Sequence, residues 1–479
     1  MRARRSASEP IVRTLGVPPQ VLRHLAITDA QHYPVLFESV AAGPLGRFSV
    51  LAAWPRAALW LSSSGRIEGE SITPQDGGFL DNLERWWRAE RQSTGAAGGL
   101  PFSGGWAVFL SYELVQEIEP RLVLPASALP WHAFALRTPC ALVHERATDR
   151  VLAIAEADQD DILQVLERDA HRAAAELNVN ALGGGAGAAL LNGLIHEEEP
   201  TLFLERVRRA QDYIRAGDIY QANLSRAWHI KMPGGPQSAA AGASAAVPEL
   251  YARLCATNPA PFAALAQWRG VSVLSSSPER LIRLADDAVE TRPIAGTRPR
   301  SRRPGDDAIE AAALIAHPKE RAEHIMLIDL ERNDLGRVCE AGTVRVDELM
   351  VTETYAHVHH IVSSVRGRLR PDVTPIGALR AVFPGGTITG CPKFRCMQII
   401  AELEGEGRGA YTGSLGFLSR DGTMDLNILI RTMTVRGMEI SLRAGAGIVA
   451  DSIAERELEE TRAKARGLLA AFETEWSRA

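Results

Sequence analysis

The sequence predicts an α+β fold rich in antiparallel sheet, and two patterns lead to this expectation. Short apolar or alternating runs bounded by glycine and proline are typical of antiparallel strands, and they are frequent in the N-terminal part. Helical spacing of apolar residues is confined to a few segments, which do not alternate regularly with the strands as a parallel sheet requires. The mixed order therefore favours sizeable antiparallel sheets with helices around them.

The N-terminal part, residues 20–180, is predicted to be rich in strands. Its clearest candidates are Arg47–Ala53, Trp106–Ser111 and Val151–Ala155. Two low-complexity stretches, Gly183–Ala189 and Gly234–Ala246, are predicted to be flexible connections or loop insertions. The first is expected to separate the N-terminal part from a second region, residues 195–475.

Three helices are predicted in the second region. The first covers Thr201–Ala216, where apolar residues recur on one face. The second begins at Pro318, which suits a first helical turn, and is expected to end before Asn333. The third begins at Ser452, because Glu455 stands three residues later and completes a capping box.

The composition limits the possible partners and location. The chain has 479 residues and a net charge of −5, which gives no support for binding to nucleic acid or to an anionic membrane surface. Its five cysteines are scattered without the spacing of a zinc site, and they predict no disulfide framework. No signal peptide or membrane-spanning run is present, so a cytoplasmic protein is expected.

Two sets of charged residues predict a metal site. Glu320 and Glu323 share a helix face, and Glu457, Glu460 and Lys464 share another about 130 residues later. Mg²⁺ prefers oxygen ligands in octahedral geometry and often completes its shell with water and substrate. Two solvated helices are the alternative interpretation of these charges.

Several glycine-containing strings in the second region resemble the chorismate-utilising enzyme family, which includes anthranilate synthase, aminodeoxychorismate synthase, isochorismate synthase and salicylate synthase. The matching strings include DIYQANLSR (218–226), SSSPERL (275–281), TRPIAGTRPR (291–300), KERAEHIMLIDLERNDLGRV (319–338), FPGGTITGCPK (383–393), GAYTGSLGF (409–417) and RAGAGIVADS (443–452). The resemblance covers roughly residues 201–472. It implies one large interleaved unit with two facing antiparallel sheets, surrounding helices and a cleft between the sheets.

The resemblance also implies the substrate and the metal. Mg²⁺ would hold the ring carboxylate of chorismate, with Glu323 and Glu460 as direct ligands and Glu320 and Glu457 acting through water. The remaining substrate contacts implied by the family are Gly296, Thr297, Thr389, Tyr411, Arg431, Gly445, Gly447 and Lys464. Of these, Tyr411 and Arg431 would bind the enolpyruvyl carboxylate, because arginine can grip a carboxylate with two hydrogen bonds.

Two residues are implied to act in the chemical step. Glu279 takes the position of the proton donor to the leaving 4-hydroxyl, a role that requires a carboxyl able to keep its proton near neutral pH. His360 corresponds to the active-site histidine of the family.

Gln221 indicates which nucleophile is used. Members of the family that use water carry a lysine base at this position, and glutamine cannot accept a proton from water. The resemblance therefore implies attack by ammonia. The chain has no Gly-x-Cys-x-Gly elbow, so a separate glutamine amidotransferase subunit is expected to supply the ammonia.

The position of the new amino group is predicted from the family strings. FPGGTITG and GAYTGSLGFLSRDGTMDLNILIRT resemble component I of aminodeoxychorismate synthase, which predicts 4-amino-4-deoxychorismate as product and a role in making 4-aminobenzoate and folate. Ala295 favours the alternative, component I of anthranilate synthase in tryptophan biosynthesis, because some aminodeoxychorismate synthases have a nucleophilic lysine there.

An N-terminal string leaves two further alternatives open. LFES (36–39) resembles the segment with which anthranilate synthases bind tryptophan, so Glu38 and Ser39 form a possible tryptophan site; the other interpretation is a strand with one polar face. A non-catalytic relative that binds tryptophan or a partner is the alternative of another class, which the retained glutamates argue against.

Overall fold

The fold is described from a computed structural model of the chain, which covers residues 9–41, 46–92, 99–157, 159–180, 194–232, 239–300, 303–354 and 358–472. Two large antiparallel sheets form its centre, as the sequence predicted. Helices surround the sheets, so the α+β class is confirmed. No helix among the described residues is both long enough and apolar enough to span a bilayer.

The strands are numbered in chain order. The first sheet contains, from one edge to the other, β1 (Ile11–Leu15), β9 (Arg150–Ala155), β8 (Cys140–Glu145), β3 (Phe48–Ala53), β2 (Val35–Glu38), β12 (Phe262–Trp268), β13 (Val271–Ser277), β22 (Thr432–Arg436), β23 (Glu439–Ile448), β11 (Gln221–Lys231) and β10 (Leu194–Glu197), with β19 (Gly390–Cys391) also paired to β11.

The second sheet is built in the same way. It contains, in spatial order, β16 (Ile294–Pro299), β18 (Val358–Arg368), β15 (Ala288–Arg292), β14 (Arg280–Ala285), β21 (Met424–Asn427), β20 (Ser414–Ser419), β6 (Gly105–Leu110), β7 (Trp131–Thr138), β4 (Ala57–Ser62) and β5 (Ile67–Glu70), with β17 (Arg345–Thr354) also paired to β18.

The helices, again in chain order, are α1 (Gln20–Thr28), α2 (Phe79–Glu90), α3 (Val115–Ile118), α4 (Asp160–Asn180), α5 (Pro200–Arg215), α6 (Ala239–Thr257), α7 (Pro304–Ala316), α8 (Pro318–Gly336), α9 (Pro375–Val382), α10 (Lys393–Glu404) and α11 (Ala454–Leu469).

The two sheets face each other across a shared apolar core. Val35 and Val273 from the first sheet belong to the same buried cluster as Phe109, Phe134 and Leu415 from the second. Strands from both halves of the chain enter both sheets, since β2 pairs with β12 and β6 pairs with β20. The boundary between regions 20–180 and 195–475 stays a prediction.

Three local expectations were wrong. Ser452 does not cap α11: its hydroxyl accepts from the amide of Val449 at 3.1 Å, and Ile453 is the N-cap residue. Helix α8 continues through Asn333 to Gly336, because its packing against the sheet outweighs the turn-forming residues. The stretch Gly234–Ala246 is helical from Ala239, consistent with the high helix propensity of alanine. Gly183–Ala189 lies outside the described residues.

Candidate functional site

The site is built on two neighbouring strands, β11 and β23, whose side chains alternate between two faces. On one face Ala222 and Leu224 lie in the same core cluster as Ala446 and Ile448. Because side chains in a strand alternate with period two, the intervening residues point to the opposite face. Those residues are Gln221, Asn223, Gly445 and Gly447, and we call this set the strand wall.

The two glycines keep the strand wall open to its neighbours. A Cβ atom on Gly447 would lie 2.4 Å from Nε2 of Gln221 and 3.1 Å from Oε1 of Glu323. A Cβ atom on Gly445 would lie 2.7 Å from the hydroxyl of Tyr411 and 2.8 Å from Oδ1 of Asn223. No side chain fits at either position without displacing these polar groups, so the structure brings together the predicted residues Gln221, Tyr411, Gly445, Gly447 and Glu323.

The polar side chains of the strand wall are held by directed hydrogen bonds. Gln221 is 3% exposed, and its Nε2 donates to Oε1 of Glu323 at 2.8 Å. Nδ2 of Asn223 donates to the carbonyl of Thr387 at 3.3 Å. The backbone amide of Asn223 also donates to the carbonyl of Thr389 at 2.9 Å, and this bond connects β11 to the FPGGTITG segment.

The predicted metal glutamates lie on α8 and α11 beside the strand wall. We call Glu320, Glu323, Glu457, Glu460 and Lys464 the carboxylate face. Burial, followed by the negative charge of Glu320, raises the pKa of Glu323 to about 7. Nζ of Lys464 lies 2.8 Å from Oε1 of Glu460 and donates to the carbonyl of Gly445 at 3.0 Å.

The carboxylate oxygens of the carboxylate face are ligands that suit a hard cation, but the side chains that carry them lie apart. Within the described ranges, no three His, Cys, Asp or Glu side chains converge closely enough to hold a metal ion. Burial and, after it, the negative charge of Glu320 raise the pKa of Glu323, and a divalent cation relieves both by neutralising the carboxylates. The residues present therefore fit Mg²⁺ in chemistry, and the four-glutamate ligand set stays a prediction.

His360 and Arg431 form a second polar pair. Nη2 of Arg431 donates to Nε2 of His360 at 3.3 Å. Burial, together with the positive charge of Arg431, lowers the pKa of His360 to about 3, so this histidine is neutral. Arg431 has a φ of 51°, a left-handed conformation that is strained for a residue with a side chain. Such strain is concentrated at functional sites.

Glu279 is a buried carboxyl group whose surroundings favour its protonated form. It is 3% exposed, and burial raises its pKa to about 8. The backbone amide of Ile294 donates to Oε1 of Glu279 at 3.3 Å, and this bond links Glu279 to the PIAGT segment (293–297). A carboxyl group with this pKa carries a proton at neutral pH, as the proton donor requires.

Gly296 and Thr389 have different surroundings. Gly296 has a φ of 70°, and a Cβ atom there would lie 2.9 Å from Oε2 of Glu320, so the PIAGT segment approaches the carboxylate face closely. The hydroxyl of Thr389 donates to the carbonyl of Gly385 at 2.9 Å. Thr297 lies on β16 opposite His360. Substrate contacts by these residues stay predictions.

Sequence reasoning missed the buried ion pair behind Tyr411. Glu404 and Arg408 are each 1% exposed at the side chain and lie 2.6 Å apart. Arg408 also donates to the carbonyls of Ile388 at 3.1 Å and Asn223 at 2.6 Å. The i,i+4 spacing of Glu404 and Arg408 was the only available signal, and such pairs are frequent on solvated helices.

Glu331 is a second buried acid that the sequence reasoning did not identify. It is 5% exposed, and burial raises its pKa to about 7. Its negative charge is one of the influences that raise the pKa of Glu279.

The possible tryptophan site lies elsewhere, at the end of β2. Both guanidinium donors of Arg23 engage the carboxylate of Glu38, at 2.9 and 3.2 Å. The hydroxyl of Tyr251 donates to the same carboxylate at 3.2 Å. The Ser39 hydroxyl donates to the carbonyl of Pro261 at 2.9 Å. These polar groups already have partners within the fold, and tryptophan binding stays a prediction.

A separate cleft of about 1070 Å³ lies where the turns that follow β12 and β22 meet the start of β4. Trp54, Trp268 and Arg269 are among the residues that line it, and none of the predicted site residues does. The candidate functional site and this cleft are therefore separate.

Residues 52–470 match the model of the chorismate binding enzyme family. The chain is 39% identical over 432 residues to an anthranilate synthase component I-like protein of Synechocystis, covering 90% of this chain and 83% of that protein. It is 36% identical over 459 residues to anthranilate synthase component 1 of Thermus thermophilus, covering 95% of each chain.

The fold comparison agrees. The crystal structure of anthranilate synthase component I from Streptococcus pneumoniae superposes with a TM-score of 0.74 at 31% identity, covering 89% of this chain and 93% of that one. This match confirms the expected architecture of two antiparallel sheets with surrounding helices. Since the family model spans most of the sequence, the chain belongs to the chorismate binding enzyme family.

Proposed function

We propose that this protein is the ammonia-using component I of a chorismate aminase and that its product is anthranilate. The observation that carries the proposal is Gln221, which is buried beside Glu323 and bonded to it at 2.8 Å. A glutamine at this point offers no base to activate water, and ammonia needs none. A separate glutaminase subunit supplies the ammonia.

Chorismate is held at both of its carboxylates. Glu323 and Glu460 would bind Mg²⁺ directly, and Glu320 and Glu457 would act through water. The bound ion would neutralise the ring carboxylate. Arg431 and Tyr411 receive the enolpyruvyl carboxylate, because a guanidinium and a phenol both donate hydrogen bonds to such a group. Lys464, which is bonded to Glu460 and to the carbonyl of Gly445, adds a positive charge to the site.

Glu279 gives its proton to the departing 4-hydroxyl. Burial raises its pKa to about 8, so the proton is present at neutral pH without a neighbouring base having to supply it. Neutral His360 acts beside it as a hydrogen-bonding partner for the substrate and for Arg431.

Three considerations favour amination at C2 and therefore anthranilate. The relatives reported above are named as anthranilate synthases or as similar to them. Ala295, which is 7% exposed, offers no nucleophile at the PIAGT position. Gln221 is bonded to a proposed metal ligand, so ammonia beside it would meet the ring carbon next to the metal-bound carboxylate. The family strings predicted the 4-amino product, and the names of the relatives favour anthranilate synthase, the alternative.

Amination at C4 is the second candidate, because one observation favours it. The strings FPGGTITG and GAYTGSLGFLSRDGTMDLNILIRT resemble aminodeoxychorismate synthases. The first of them contacts the strand wall directly, through the bonds from Asn223 to Thr387 and Thr389. Its sequence therefore bears on the shape of the site.

The test is to incubate the purified chain with chorismate, Mg²⁺ and ammonium at raised pH, with and without 4-amino-4-deoxychorismate lyase. Fluorescent anthranilate without the lyase supports the proposal. If 4-aminobenzoate forms only when the lyase is present, the C4 product is correct instead. If chorismate is not consumed, the chain is a regulatory relative. Glutamine should not replace ammonium unless the partner subunit is added.

A further inference from the structure

Two amide oxygens in the strand wall lack hydrogen-bond donors. Oε1 of Gln221 and Oδ1 of Asn223 are both buried, and neither accepts a hydrogen bond from any of the described residues. The two residues are i and i+2 on β11, so the two oxygens lie on the same face of the same strand.

The orientation of both amides is set by their other ends. Nε2 of Gln221 faces a carboxylate oxygen of Glu323, and Nδ2 of Asn223 faces the carbonyl of Thr387. A carbonyl oxygen can only accept, and Oε1 of Glu323 is in position to accept from the amide of Gln221, so exchanging O and N in either amide would lose its hydrogen bond. The oxygen is therefore the end of each amide that has no hydrogen-bond partner among the described residues.

A buried acceptor without a donor destabilises a fold by about 1–3 kcal/mol. Two such acceptors side by side indicate a ligand that carries its own donors. The ligand must be small, because polar side chains already lie close to both glycines: a Cβ atom would lie 2.4 Å from Nε2 of Gln221 at Gly447 and 2.8 Å from Oδ1 of Asn223 at Gly445.

We propose that the amide oxygens of Gln221 and Asn223 form a subsite that binds the N–H groups of ammonia. Both acceptors are uncharged, which suits ammonia better than the ammonium ion. Ammonia keeps its lone pair free for attack when its hydrogens are held in this way, whereas ammonium has no lone pair. The inference rests on the proposed function and adds Asn223 to it as a residue that contacts the nucleophile.

The test compares Asn223→Leu with Asn223→Asp in the ammonium-dependent reaction. Both variants lose the bond to Thr387, and only Asn223→Asp keeps an oxygen acceptor. Asn223→Leu is expected to raise the KM for ammonium about 10-fold, the effect of losing one hydrogen bond, with the KM for chorismate unchanged. Asn223→Asp is expected to keep the ammonium KM low and to lower kcat, because its charge retains ammonium.

The control is Gln267→Leu on β12, an amide of the same sheet that donates to the carbonyl of Ala26 at 2.7 Å and should change neither KM. The inference is wrong if Asn223→Leu and Asn223→Asp have the same ammonium KM. It is also wrong if Asn223→Leu raises the chorismate KM to the same degree, because the oxygen would then bind the substrate. If the wild-type chain does not use ammonium at all, the proposed function fails together with the inference.

Discussion

The strand wall and the carboxylate face border the same site and are built in opposite ways. Every polar side chain of the strand wall is held by a bond to another element, and Gln221 is 3% exposed. On the carboxylate face, the side chains of Glu460 and Lys464 are 48% and 40% exposed, and the glutamates do not converge. Folding alone fixes the amide nitrogens of the strand wall and leaves its two amide oxygens without donors, whereas the predicted ligands of the carboxylate face would come together only around a cation.

The largest expected effect tests Glu279, the acid buried beyond the strand wall. Glu279→Gln removes the proton donor and should lower kcat by about 10³-fold. In the wild-type chain, kcat should fall as the pH rises through about 8, because the acid then loses its proton. A pH profile of both proteins checks this. Glu402→Gln, an exposed change on α10, serves as control and should leave both kcat and the profile unchanged.

The second-largest expected effect tests the buried Glu404–Arg408 ion pair, which contacts the strand wall at the carbonyl of Asn223. Arg408→Met leaves the buried carboxylate of Glu404 with Arg443, 3.3 Å away, as its remaining ionic partner, and it removes the bonds from Arg408 to Ile388 and Asn223, so it should lower the free energy of unfolding by about 3 kcal/mol. Arg209→Met removes an exposed partner of Glu402 and should cost less than about 1 kcal/mol. Urea denaturation measures both. Equal losses would show that the Glu404–Arg408 pair does not stabilise the wall.

The third effect tests the carboxylate face. The pKa of Glu323 is raised from 4.5 to about 7, so the folded state binds this proton more tightly than the unfolded state does. The charged form therefore destabilises the fold increasingly as the pH rises from 4.5 to about 7. Glu323→Gln should be more stable than the wild type above pH 7, by up to about 3 kcal/mol without Mg²⁺, and equal to it near pH 4.5.

Mg²⁺ should reduce this difference in stability between Glu323→Gln and the wild type, because it stabilises only the wild type. Glu323→Gln should also lose chorismate turnover. Thermal unfolding at several pH values with EDTA or Mg²⁺ gives the measurement. Glu459→Gln, on the exposed side of α11, is the matched control and should respond to Mg²⁺ as the wild type does. An equal gain from Mg²⁺ in Glu323→Gln would remove this residue from the ligand set.

The smallest effect tests how α8 is anchored below the carboxylate face. His324 is buried, and its Nε2 lies 2.7 Å from the hydroxyl of Ser363, which also accepts from the amide of Met350 at 2.9 Å. Ser363→Ala should lower the free energy of unfolding by about 1–2 kcal/mol. Ser364→Ala removes a buried hydroxyl that has no partner among the described residues, and it should be nearly neutral. Denaturant midpoints compare the two.

The family strings singled out Gln221, Glu279, His360 and Arg431, and their roles stay predictions. The contacts that the structure adds, such as the bond from Gln221 to Glu323 and the burial of Glu279, could not be predicted from the strings. The Glu404–Arg408 pair was not predicted, because the desolvation of an ion pair depends on the elements that cover it and not on the local sequence. The capping box at Ser452 failed for a similar reason, since a competing bond to Val449 captured the hydroxyl.

The pairing of β6 with β20 has a consequence for how the chain folds. Leu110 lies opposite Ser414, roughly 300 residues later, so the second sheet cannot close until most of the protein has been synthesised. Until then, the strands of the N-terminal region expose unpaired edges that invite association with other chains. We expect slow folding and a dependence on chaperones, and the second region, residues 195–475, should aggregate when it is expressed without residues 20–180.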